Sequence, residues 1–180
     1  GFFAISCLLP PGQGIGNAVI VSQAISAGGQ VSAALLLSYD PPSISYITPN
    51  NFYTNGNINV TIVGANFGVW GVATSVIVGA NPCPISWQNH TALVCLLPAG
   101  DGDSLVRVTV SAQQSNTVVF NYLPPTVNTV TPGTGPTDGG IPITITGSSF
   151  GLTGIILIGG NSCPPTLRNH TMIICTLPMG

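Results

Sequence analysis

The chain has 180 residues, enough for one large or two small domains, and only 3% of them are charged: four aspartates and two arginines, with no lysine. Two arginines cannot neutralise a row of phosphates, which excludes nucleic acid and anionic membrane surfaces as electrostatic partners. Disorder is excluded as well, because 44% apolar residues beside 23 glycines and 16 prolines describe many short strands joined by turns.

Gly1 to Tyr39 carries no charged residue. Pro10, Pro11, Gly12, Gln13, Gly28, Gly29 and Gln30 cut it into pieces short of the roughly 18 apolar residues of a spanning helix, so no membrane span is expected in this segment. It opens abruptly at Gly1-Phe2-Phe3, without Met or a signal peptide, as if inside a strand; a processed product or an excerpt is expected. Gly28-Gly29 and Asn55-Gly56 predict turns. Ile58-Asn59-Val60-Thr61-Ile62 alternates at period two, which predicts a strand with Asn59 facing outward. Val106, Val108 and Val110 alternate with Arg107, Thr109 and Ser111 in the same way. Asp138-Gly139-Gly140 predicts a further turn before the alternating Ile141-Pro142-Ile143-Thr144-Ile145, where Pro142 points to an edge strand. This density of short strands predicts immunoglobulin-like sandwiches.

The chain repeats itself. At an offset of 83, Tyr39, Pro41, Pro42, Pro49, Thr61, Gly64, Phe67 and Gly68 recur as Tyr122, Pro124, Pro125, Pro132, Thr144, Gly147, Phe150 and Gly151. After a three-residue deletion the offset is 80, and Cys83, Asn89, His90, Cys95, Pro98 and Gly100 recur as Cys163, Asn169, His170, Cys175, Pro178 and Gly180. Cys7-Leu8-Leu9-Pro10 with Gly12 and Gly14 begins a further copy without its front half. The expected organisation is the back half of one domain (1–39), a complete domain (40–123) and the front of a third (124–180), within a longer array. The two ends repeat the same strand rather than complementing each other, which favours an excerpt over completion by a neighbour. The fold class is all-β, with tandem sandwiches stacked end to end.

Cys83 and Cys95 stand 12 apart, as do Cys163 and Cys175, and Cys7 occupies the second position of such a pair. The constant spacing points to one disulfide per unit, worth roughly 3 kcal/mol in the chain-entropy account, with the partner of Cys7 expected upstream. Zinc ligation and buried free thiols are the alternatives, although no second pair stands at ligand spacing. Disulfides imply an oxidising, extracellular compartment. Asn59-Val60-Thr61, Asn89-His90-Thr91 and Asn169-His170-Thr171 are N-glycosylation sequons at positions expected to be reachable. N-linked glycans at Asn59, Asn89 and Asn169 would hydrate a surface that charge does not.

Pro41-Pro42-Ser43-Ile44, Val60-Thr61-Ile62-Val63-Gly64-Ala65-Asn66-Phe67-Gly68, Val78-Gly79-Ala80-Asn81-Pro82-Cys83 and Cys95-Leu96-Leu97-Pro98-Ala99-Gly100 resemble the IPT/TIG domain, the immunoglobulin-like module shared by plexins and transcription factors. The copy from Gly139 to Gly151 and the tail from Gly28 to Tyr39 resemble it too. The resemblance implies the β-sandwich and, for the cysteine-bearing type, extracellular tandem arrays. It does not fix a function.

No catalytic constellation is expected, and neither a metal nor a cofactor. His90 and His170, in different units, read as surface turns. Asp101-Gly102-Asp103 reads as a polar hairpin turn rather than a calcium loop, which needs more oxygens. Gly12, Gly14 and Gly16 precede no helical pattern and form no phosphate cradle. Trp70 and Trp87 are expected in the core or between domains, with a sugar platform as the alternative. Ala92, Val94, Leu96, Met172 and Ile174 are expected on outer faces. The prolines after Tyr39 and Tyr122 leave the joints almost no slack. The resulting expectation is a structural segment of a long, secreted or cell-surface glycoprotein forming a fibre, stalk or coat. Its partners are neighbouring repeats, with lateral association into filaments. An adhesion or receptor ectodomain is the alternative, and a carbohydrate-binding accessory module of a secreted enzyme a weaker one.

Overall fold

The computed structural model describes residues 4–23, 29–69, 71 and 73–180. The start at Gly1-Phe2-Phe3, Gly28 of the first glycine turn, and Trp70 lie outside the described residues. All regular elements among the described residues are strands.

Residues 40–123 build a sandwich of two sheets. One sheet has the order β3 (Ser43–Thr48), β5 (Asn59–Ala65), β9 (Ala92–Leu96), β8 (Ile85–Gln88). The other runs β4 (Asn51–Phe52), β12 (Val118–Tyr122), β10 (Asp103–Val110), β6 (Thr74–Val78), β7 (Asn81–Pro82), with β11 (Gln113–Gln114) paired to β10. The period-two alternation decides which side chains meet between the sheets. Val60 and Ile62 of β5, Leu93 and Cys95 of β9, and Val106, Val108 and Val110 of β10 are buried, and their neighbours point out. Phe67 and Phe120 fill the middle. The turn at Asn55-Gly56 places Gly56 at φ +58°, with the Pro98 carbonyl 2.3 Å from where a Cβ would stand, so only glycine fits.

Residues 124–180 repeat the first sheet as β13 (Thr126–Thr131), β14 (Pro142–Ser148), β18 (Met172–Thr176), β17 (Pro165–Arg168). Of the second sheet they form only β15 (Leu157–Ile158) and β16 (Asn161–Ser162). Ile143, Ile145, Phe150, Ile173 and the two cysteines make its small core. Pro142 does not mark an edge strand. β14 lies between β13 and β18, and Pro142 is its first residue, beyond the point where pairing with β13 stops at Thr144. Its missing N–H therefore leaves no ladder position empty.

Before these units, β1 (Asn17–Val19) pairs antiparallel with β2 (Leu35–Leu37), and Ser22 forms a bridge with Val31.

Candidate functional site

The chemistry of this chain sits at its joints, its sequons and its cross-links. Each joint is anchored by a tyrosine. The hydroxyl of Tyr122 donates to the Pro98 carbonyl at 2.7 Å, and that of Tyr39 to the Pro10 carbonyl at 2.8 Å. Each ring lies close against a glycine. A Cβ on Gly100 would stand 2.5 Å from the Tyr122 ring, and one on Gly12 2.3 Å from the Tyr39 ring. Burial, followed by the nearby Asp101 charge, pushes the Tyr122 phenol up from its ordinary 10.0 to about 12.

Hydrogen bonds then cross from one unit to the next. The Tyr39 carbonyl accepts from Gln113 Nε2 at 3.0 Å. At the second joint the buried Thr54 hydroxyl accepts the Gly151 N–H at 3.3 Å and lies 2.9 Å from His170 Nδ1. Thr153 donates to Asp101 at 3.2 Å beside it. His170 is thus not a plain surface turn: it is half-buried against the preceding unit. His90 is exposed and borders a hollow with Gly12, Tyr39 and Gln113 at the other joint. A single histidine sits at each joint, and among the described residues no group of three or more His, Cys, Asp or Glu is placed to hold a metal ion.

The sequon asparagines at equivalent positions have the same local form. Asn89 Oδ1 accepts the N–H of Thr91 at 2.9 Å and of Ala92 at 2.8 Å, and the Thr91 hydroxyl at 3.2 Å. Asn169 repeats this with Thr171 and Met172 at 2.9, 2.7 and 3.2 Å. In both the carbonyl oxygen carries the turn, and the amide nitrogen, the atom that would take a sugar, carries none of these bonds. Asn59 and Asn89 are exposed, whereas Asn169 is half-buried next to the docked His170.

Cys83 bonds to Cys95 and Cys163 to Cys175, with Cα atoms 5.5 and 5.7 Å apart. The N–H of Cys83 extends the ladder to β6 through the Val76 carbonyl, while Cys95 belongs to β9, so the bridge ties one sheet to the other. Cys7 is an exposed free thiol. Trp87 is 48% exposed on β8 and not in the core. The register on β9 turns it to the outer face beside Val94.

One device escaped the sequence reading. Arg168 donates to the carbonyls of Phe150, Gly151 at 3.3 Å and Gly154 at 2.9 Å, clamping the loop after Phe150. Gln88 holds the equivalent loop through the Phe67 carbonyl at 2.5 Å and Thr74 Oγ1 at 3.0 Å. Both stand one residue before a sequon, at the offset of 80 that relates the two copies; the difference in residue type hid the shared role.

The IPT/TIG domain model matches residues 42–122 and 125–180. Mouse fibrocystin-L is 27% identical over 178 residues, covering 91% of this chain and 4% of its own length. Human plexin-B3 is 31% identical over 134 residues, 68% of this chain and 7% of its own length. The chain therefore spans only a small part of the curated relatives it matches. Among solved structures, the full extracellular region of plexin A4 aligns at 24% identity and a TM-score of 0.43, over 77% of this chain and 15% of that one.

Proposed function

This chain belongs to the IPT/TIG domain family, and we propose that it is a structural segment of an extracellular, N-glycosylated tandem-repeat protein that forms a fibre, stalk or surface coat. The observation that carries this reading is the joint. Tyr122-Leu123-Pro124-Pro125 has no slack, and Thr54, Gly151, His170, Asp101 and Thr153 hydrogen-bond across it. Units held in this way transmit orientation to their neighbours, as a stalk requires. The disulfides support an oxidising compartment outside the cell. With two arginines and four aspartates, sugar at Asn59, Asn89 and Asn169 is the reading that keeps such a surface hydrated.

Intact mass of native material before and after enzymatic removal of N-glycans, combined with particle imaging, tests both halves. Sugar on at least two asparagines and elongated particles of constant unit spacing are expected. Bare asparagines on freely dispersed single molecules overturn the reading.

A second reading, an adhesion or receptor ectodomain, is favoured by one side chain. Trp87 is 48% exposed on the outer face of the β3-β5-β9-β8 sheet, and exposed aromatics anchor protein ligands. Trp87→Ala separates the two readings: a loss of ligand capture with unchanged particle shape favours the receptor.

A further inference from the structure

In the complete sandwich, the outer face of the β3-β5-β9-β8 sheet carries a sequon in register with apolar side chains. Asn59 and Thr61 stand two apart on β5 and share that face. The register sets Leu96 of β9 directly opposite Asn59 and Val94 opposite Thr61, with Trp87 of β8 opposite Val94. It thus lays a row of positions from Asn59 over Leu96 and Val94 to Trp87, all on one face. Asn59 is exposed, and Leu96 and Trp87 are 40% and 48% exposed. Neighbouring strands lie about 4.8 Å apart, so Trp87 stands roughly 10 Å across the sheet from Asn59, within reach of the first sugars of an N-linked glycan.

Residues 124–180 build the same sheet without this sequon, and the face changes with it. Pro142 stands where Asn59 does, and Thr176 lies opposite it in place of Leu96. Leu167 replaces Trp87, opposite Ile174. Further along, Tyr46 pairs with Val63 in the complete sandwich. Their counterparts Thr129 and Thr146 pair in the second copy and hydrogen-bond hydroxyl to hydroxyl. Met172 for Ala92 runs the other way, at the far end of the strand from the Asn59 position. The copy that cannot carry sugar here wets its face with threonine hydroxyls. The copy with the sequon leaves an indole and a leucine on it, and none of its four strands carries a charged residue to hydrate them.

We propose that the glycan on Asn59 lies along this face and stacks on Trp87 instead of standing free in solvent. A pyranose ring presents C–H groups on one side, and the face of an indole is the negative side of its quadrupole. The two pack together while the sugar hydroxyls stay outward in water. Leu96 and Val94 lose water beneath the sugar nearest Asn59, which adds apolar burial. The short covalent link to Asn59 holds the sugar at a high effective concentration beside the ring. Seating the glycan in this way rests on the reading that Asn59 is glycosylated and deepens it, because the sugar then belongs to the packing of the sandwich as well as to its hydration. A seated sugar also covers Trp87 and withdraws it as an anchor for a protein ligand.

The test uses the full chain secreted from eukaryotic cells, with occupancy of each asparagine read by glycopeptide mass. Denaturant unfolding is compared for the parent, Asn59→Gln, Trp87→Ala and the double variant. Loss of the Asn59 glycan is expected to lower the folding constant about fivefold more with Trp87 in place than with alanine there, the size of coupling that contacting groups show. Trp87→Leu, the change the second copy makes, replaces Trp87→Ala should circular dichroism show that alanine disturbs the fold. In the parent, proton cross-relaxation is expected between sugar C–H groups and the Trp87 indole. An occupied Asn59 whose glycan acts equally with and without Trp87, or an indole free of sugar contacts, overturns the proposal and leaves the glycosylated reading standing. Sugar on Asn89 and Asn169 with Asn59 bare does the same. Bare asparagines at all three positions overturn both.

Discussion

Residues 40–123 and 124–180 carry nearly the same strands in the same order, yet one has a full core and the other a shallow one. Val60 and Ile62 are 0% exposed on β5, and their counterparts Ile143 and Ile145 are 3% and 7% exposed on β14, so burial on the inner strand hardly changes. The contrast lies on β13, where Val127 and Val130 face open space. Strand alternation and the disulfide suffice to form one sheet and set its register. Removing its outermost residues from water takes the second sheet.

The largest test of this difference is Phe67→Ala against Phe150→Ala. Phe67 is fully buried, and its loss is expected to cost about 3–5 kcal/mol. Phe150 is 6% exposed in the smaller core of residues 124–180 and is expected to cost less, as measured by denaturant unfolding of each unit; equal costs would break the comparison. Next is the disulfide. Replacing Cys163 and Cys175 by alanine removes roughly 3 kcal/mol, which the small core is not expected to withstand. Limited proteolysis should then digest residues 124–180 and spare 40–123, whereas the same change at Cys83 and Cys95 should weaken a unit that still folds.

A smaller effect comes from paired glycines. Gly100→Ala pushes a methyl into the Tyr122 ring and is expected to lower the stability of the complete unit by about 1–3 kcal/mol. At Gly180 the nearest atom is the Thr137 carbonyl oxygen at 3.7 Å, so Gly180→Ala should leave the melting temperature unchanged. The smallest effect is absent at neutral pH. Folding holds the Tyr122 proton up to about pH 12. The stability this contributes is whole below the unfolded value near 10 and is lost as the pH rises towards 12. Tyr122→Phe should flatten that alkaline decline, read from unfolding midpoints between pH 9 and pH 12, taken as approximate bounds.

Much of this was legible in the residues. The alternation at Val106, Val108 and Val110 names the buried face of β10 because side chains alternate across any strand. Asn55-Gly56 and Asp138-Gly139-Gly140 name turns because their glycines take positive φ. Other features were hidden. Pro142 reads as an edge residue, but strand order is not a local property, and its tolerance depends on where β13 happens to end. His170 reads as a surface turn because its partner, Thr54, lies 116 residues away and in another unit. Trp87 reads as core because it is large and apolar, and only the register on β9 turns it outward.

The amino-acid sequence by itself determined the repeat, the strands, the turns and the cysteine spacing, since these follow from backbone preferences and side-chain alternation over a few residues. Tertiary structure alone decided which faces are covered, which loops Gln88 and Arg168 hold, and how Thr54 joins two units. Those outcomes depend on surfaces distant in the chain meeting at van der Waals and hydrogen-bond range, a condition no short stretch of residues can set.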